Sequence, residues 1–100
     1  MGKLTLNITK ANISNGRQAN PGKCPIANSI KDNVANITHI SVLPNEASIR
    51  VKRGKKILSY KSKLTAKAYN FIRKFDDGKR VKPFSLTLDF VQQKNLVDLV

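Results

Sequence analysis

The sequence contains one cysteine, one histidine, one methionine and no tryptophan, with only six aromatic residues in 100. A lone cysteine excludes an internal disulfide, and one cysteine plus one histidine falls short of a structural zinc site, which takes four protein ligands. Acids are scarce as well. Asp32, Glu46, Asp76, Asp77, Asp89 and Asp98 are scattered, and only Asp76 and Asp77 are neighbours. Adjacent acids in a helix-ending turn tend to point apart, so a carboxylate pair for metal or proton chemistry is not expected. The five glycines are isolated and fit neither a Walker nor a dinucleotide loop. No apolar stretch approaches the roughly 20 residues that cross a bilayer. Met1-Gly2-Lys3 runs straight into alternating Leu4, Leu6 and Ile8, without the apolar run of a signal peptide. These absences leave no catalytic residue, metal or cofactor to expect, and they favour a reducing compartment, the cytoplasm.

Positive charge is what the chain has in excess. Nineteen Lys and Arg against six Asp and Glu give a formal charge of +13, where solubility alone calls for a magnitude of roughly 2 to 8 in a small domain. Self-repulsion among so many cations costs stability, so a polyanionic partner is expected: nucleic acid, an anionic membrane surface or an acidic protein. The hydrophobic fraction of 40% and charged fraction of 25% are ordinary globular values, so this is a folding domain and not a basic tail. Its length suits a single domain over residues 1–100 with one modest core.

Periodicity supplies the elements. Leu4, Leu6 and Ile8 alternate with polar residues, the pattern of a half-buried strand. Asn15-Gly16 and Asn20-Pro21-Gly22 mark an irregular connection from Asn12 to Lys23, with Ile13 as an anchor. Pro25 suits a first helical position, and Ile26, Ile30 and Val34 recur every four residues, predicting a helix over about 25–35. Three meander strands follow within 37–60, carried by Ile40 to Leu43, by Ala47, Ile49 and Val51, and by Ile57, Leu58 and Tyr60. Arg53-Gly54 is the turn between the last two. Leu64, Ala68, Phe71, Ile72 and Phe75 form a helical stripe, entered at Ser62 or Thr65 and stopped by Gly78. Phe84, Leu86, Leu88 and Phe90 then alternate as a last strand. The expected fold is α+β in the order β-α-β-β-β-α-β: one mainly antiparallel sheet with two helices packed on one face. The apolar residues after Phe90 suggest a terminal helix folding back, or an exposed lure for a partner.

Two stretches carry a resemblance. Cys24-Pro25-Ile26-Ala27 opens a helix, and Phe71-Ile72-Arg73-Lys74-Phe75-Asp76-Asp77-Gly78 precedes Val81-Lys82-Pro83-Phe84. In these the chain resembles a widespread family of small phage and bacterial proteins with a C-P-[IV]-A helix start and a C-terminal F-I-x-x-F-D-x-G-x-x-V-x-P-F segment. The resemblance implies a phage or mobile-element origin and carries no catalytic residues across. Lys79, Arg80 and Lys82 fill a stretch that relatives often make acidic, which makes the basicity particular to this chain.

From Ala47 to Phe75 ten basic residues occur with no acid. In the predicted hairpin Arg50 and Lys52 point to the solvent face, Arg53, Lys55 and Lys56 crowd the turn, and Lys61 and Lys63 follow. These seven residues are the candidate nucleic-acid contacts, to phosphates and not to base edges. The alternative partner is an acidic protein surface, with the chain a host-factor inhibitor or virion component. The bland alternative is an edge made soluble by lysine. Tyr60 and Tyr69 are the tyrosines open to base stacking, while the phenylalanines belong to the core. Cys24 precedes a helix N-terminus, where a thiolate is favoured, but its expected role is a buried small hydrophobe, and His39 that of a half-exposed strand residue.

Overall fold

The computed structural model describes residues 2–93. In chain order the elements are β1 (Gly2–Ile8), α1 (Lys10–Ser14), α2 (Pro25–Asn33), β2 (Ile37–Leu43), β3 (Glu46–Arg53), β4 (Lys56–Lys63), α3 (Ala66–Asp76) and β5 (Phe84–Gln92). The five strands form one antiparallel sheet in the spatial order β1-β5-β4-β3-β2. The fold is therefore α+β, as the periodicities predict. The terminal residues 94–100, on which the expected closing helix falls, lie outside the described residues.

Alternation decides which face each strand buries. Leu6 and Ile8, Ala47, Ile49 and Val51, and Leu86, Leu88 and Phe90 point to one side, where they join Ile26, Ala27 and Ile30 of α2 and Ala68, Phe71 and Ile72 of α3 in one core. Lys3, Thr5, Arg50, Lys52, Lys61, Lys63 and Thr87 alternate with them onto the open side. At β4 the adjacent Ile57 and Leu58 leave the phase open in the sequence, and the structure decides it. Leu58, Tyr60 and Ser62 turn inward opposite Val51, Ile49 and Ala47, and Ile57 turns outward opposite Lys52. Neighbouring residues of a strand cannot share a face, and the buried partners on β3 select Leu58 over Ile57.

The helix count differs too. Three helices stand among the described residues where two are expected, because Thr9 and Asn12 close a capping box at the start of the one-turn α1. Asn12 N–H donates to Thr9 Oγ1 at 3.0 Å, and Asn12 Oδ1 accepts from Thr9 N–H at 3.0 Å. The half-buried Ile13 anchors this turn against the core. The other helices begin and end as expected. Cys24 caps α2 with Pro25 in the first turn, and Thr65, rather than Ser62, caps α3. Gly78, at φ +76°, ends α3 in a Schellman motif: its N–H reaches Phe75 O at 3.1 Å and Lys79 N–H reaches Lys74 O at 2.9 Å.

The sheet is two ribbons joined at a short seam. β5 pairs with β1 along its first seven residues, from Phe84↔Ile8 to Phe90↔Gly2, and with β4 only at Val91↔Lys61 and Gln92↔Tyr60. Ser62 extends this join with its side chain. Its Oγ accepts the Asp89 N–H at 3.1 Å where a ladder carbonyl would otherwise stand. The offset of the two ribbons makes the molecule long, with extents of 43 × 23 × 20 Å.

Candidate nucleic-acid interface

The β3–β4 hairpin closes through the two-residue turn Gly54-Lys55, one residue later than the sequence suggests, with Arg53 directly opposite Lys56. Gly54 adopts φ +61° and Lys55 does not have a positive φ. That is the pattern of a type II′ turn, which takes glycine at its first central position.

Neighbouring strands stop short of this turn. On one side β2 begins at Ile37, opposite Val51, and the last backbone contact runs from Lys52 N–H to Asn36 O at 2.9 Å. On the other, β5 ends at Gln92, opposite Tyr60, and Gln93 N–H makes the last bond, to Ser59 O at 2.7 Å. Among the described residues the stretch from Arg53 to Leu58 is therefore flanked by no strand. Among these residues the hairpin ends in a two-stranded tip that extends beyond both neighbours.

All seven predicted cations are exposed and lie on this one hairpin. Arg50, Lys52, Lys61 and Lys63 face the open side of the sheet, while Arg53 and Lys56 take the opposite parity at the tip, with Lys55 in the turn itself. The tip thus carries charge on both of its faces. The seven are not equally free. Lys61 Nζ lies 4.0 Å from Glu46 Oε2, the one ion pair among the described residues. Glu46 also stands opposite Lys63 in register, so the far end of the hairpin is partly neutralised. Both side chains of the Lys61–Glu46 pair are close to half exposed, so it adds little stability. At the tip no carboxylate of the described residues offsets Lys52, Arg53, Lys55 or Lys56.

Aromatic groups do not assist these cations. Tyr60, expected to be open for stacking, is buried at 6% exposure between Ile49 and the β5 seam. The inward phase of β4 makes it a core residue. Tyr69 is exposed on α3, away from the hairpin, where its hydroxyl accepts a hydrogen bond from Arg73 Nη1 at 3.2 Å. The open face offers Ser41, Ser48, Ser59 and Thr87 beside the cations, small hydroxyls without a ring, and a single imidazole, His39, opposite Arg50.

The residues with nucleophilic or acid-base chemistry do not converge. Cys24 is buried on the helix side of the sheet, and its Sγ accepts the Ala27 N–H at 3.4 Å. Burial pushes its thiol pKa up, against the Ala27 hydrogen bond, and the Asp76 carboxylate pushes in the same direction as burial. His39 is exposed on the other side, opposite Arg50. Asp76 serves the turn instead of a cation: its Oδ1 accepts the N–H of Ala19, a residue held at φ +51°, at 2.9 Å. Gln18 adds a bond from Nε2 to Phe75 O at 3.1 Å, so the 15–23 connection is tied to the end of α3. Among the described residues no three His, Cys, Asp or Glu side chains gather as a metal site, and no helix is long and apolar enough to cross a membrane.

A second group of cations escapes a reading centred on the hairpin. Lys67 and Lys74 of α3 stand beside Arg80 and Lys82 of the segment leading into β5, around a cleft floored by Phe84. Their charge is plain in the sequence; their convergence depends on where α3 lies.

Comparison with protein-family models, with curated proteins and with solved structures finds no match to this chain.

Proposed function

We propose that this protein binds nucleic acid through the β3–β4 hairpin, mainly by contacts to phosphates. The observation that carries the reading is the tip itself: Lys52, Arg53, Lys55 and Lys56 are exposed, the last three extend past the flanking strands, and among the described residues no carboxylate stands beside them. A two-stranded ribbon is one of the elements that the major groove of B-DNA admits. Arg50, Lys61 and Lys63 continue the charge along the open face, where they would meet the backbone on either side of that groove. No Asn, Gln or acid stands between Arg50 and Lys63, so guanine, met by an arginine or lysine, is the base this hairpin is best equipped to read, and most of the affinity comes from the backbone. The resemblance to small phage and bacterial proteins supports an accessory role in a phage or mobile element, exercised in the host cytoplasm.

Mobility-shift titration of a duplex of about 20 base pairs tests this, since six to ten phosphate contacts respond to salt by roughly 1,000-fold or more between 50 and 200 mM. The wild-type chain retards the duplex at low salt. Replacing Arg50, Lys52, Arg53, Lys55 and Lys56 by Gln weakens binding by about 100-fold or more. No complex at low salt, or a variant that binds like wild type, rejects the reading. Capture of an acidic protein by the same five cations, surviving nuclease, would assign the hairpin to a protein partner instead.

A further inference from the structure

The cations outside the hairpin are unevenly placed. Lys67 and Lys74 are seven residues apart on α3 and so share one side of the helix. That side faces the chain entering β5, which carries Arg80 and Lys82. Between the two lies an open cleft of about 470 Å³, inside the range of roughly 300 to 1,000 Å³ typical of small-ligand sites. Among the described residues no carboxylate lines it. Asp76, nearby at the end of α3, is engaged with the Ala19 N–H on the other side of the helix end.

The cleft is not only charged. Phe71 and Phe84 pack with ring centroids 4.7 Å apart at 43°, and the half-buried Val81 and exposed Pro83 extend this apolar surface. Lys67 Nζ sits 5.3 Å from the centre of the Phe84 ring, which holds one ammonium at the rim. Asn70 contributes an amide able both to donate and to accept. Four like charges around one cleft repel each other unless an anion lies among them. An anion alone would leave the apolar wall unused.

The cleft and the hairpin are separate. Lys61 stands opposite Val91; the turn is six residues along β4 from that pair, and Phe84 is seven residues along β5 in the opposite direction. At about 3.3 Å per residue this places them roughly 40 Å apart, nearly the full 43 Å length of the molecule.

We propose that this cleft is a second anion site, which takes one phosphate ester attached to a flat apolar body, the chemistry of a single nucleotide. Lys74, Arg80 and Lys82 hold the phosphate oxygens as charge-assisted donors. The base lies against Val81 and Pro83 beside the Lys67-covered Phe84 ring, and Asn70 meets its polar edge. The same chemistry is offered by a free mononucleotide and by the phosphorylated end of a strand.

Amide chemical-shift titration of the full chain at low salt is the test, with adenosine monophosphate, inorganic phosphate and a 5′-phosphorylated tetranucleotide as probes. Adenosine monophosphate is expected to shift Lys67, Asn70, Lys74, Val81 and Phe84 saturably, with inorganic phosphate at least about tenfold weaker. The exposed double variant Arg80→Gln/Lys82→Gln loses about tenfold or more, the effect of removing hydrogen bonds to a charged group. Gln at the five hairpin cations leaves this binding unchanged, which separates its failure from that of the hairpin reading. The tetranucleotide binding more tightly than the monophosphate assigns a strand end, and the reverse order assigns a free nucleotide. Shifts spread over all surface cations, inorganic phosphate binding as tightly as the nucleotide, or a double variant that binds like wild type overturns the proposal.

Discussion

Arg53 and Lys56 face each other across the Gly54-Lys55 turn, so the pair that closes the hairpin sets two cations side by side. Like charges directly opposite on adjacent strands destabilise a sheet, by up to roughly 1 kcal/mol. Lys56→Glu converts the repulsion into attraction and is expected to raise stability by about 0.5 kcal/mol at low salt, with most of the gain screened away near 1 M salt. The same change weakens polyanion binding. Urea unfolding at two salt concentrations, beside a duplex titration, measures both. A hairpin in which stability and binding fall together has no conflict between folding and function at this pair.

Two glycines separate conformational from steric cost. Gly54 has φ +61° and open space where a Cβ would go, so Gly54→Ala is strained by its backbone alone, by about 1 to 2 kcal/mol. Gly16 does not have a positive φ, but a Cβ there would stand 2.8 Å from Pro25 Cδ and Cγ and 3.0 Å from Phe75 Cζ. Gly16→Ala is therefore expected to cost about 1 to 3 kcal/mol by overpacking, and Phe75→Leu to recover part of it. Chemical denaturation of the single and double variants checks this. Equal losses at Gly16 with and without Phe75 would place the clash on Pro25 alone.

Cys24 gives the fold a pH dependence of known sign. Its folded-state thiol is pushed up by burial, so above the ordinary thiol pKa of roughly 8.5 the unfolded chain releases a proton that the folded chain keeps. The unfolded state then binds fewer protons, and stability falls as pH rises from about 8.5. Subtracting the same curve for Cys24→Ala removes the lysine and tyrosine contributions common to both and leaves this slope. In the native state at neutral pH the thiol is expected to react with a disulfide reagent only as fast as the structure opens. Rapid stoichiometric labelling would contradict the burial.

Much of the architecture is legible in the residues, and the parts that are not share one cause. Leu6 and Ile8, Leu86 to Phe90, and Ala68, Phe71 and Ile72 announce their buried faces because each stripe has one period and one partner. β4 does not: Ile57 and Leu58 are adjacent and Ser62 is buried, so its phase is set by Ile49 and Val51 across the ladder. That is why Tyr60 reads as exposed from sequence yet lies in the core. α1 is five residues long, too short to show periodicity, and only the Thr9 and Asn12 spacing marks it. The place of β5 between β1 and β4 is a long-range choice that no local pattern encodes. The hairpin cations follow from a local turn and are found in advance. The cleft beside Phe84 needs α3 laid along the entrance to β5, and only the tertiary structure shows that.

The salt dependence of duplex binding counts the phosphates that the hairpin contacts. Seven phosphate contacts give a slope of about −6 in log K against log salt, and Gln at Arg50, Lys52, Arg53, Lys55 and Lys56 reduces it to about −2. A wild-type slope near zero, or one that the five substitutions leave unchanged, would contradict the assignment of this hairpin to nucleic acid.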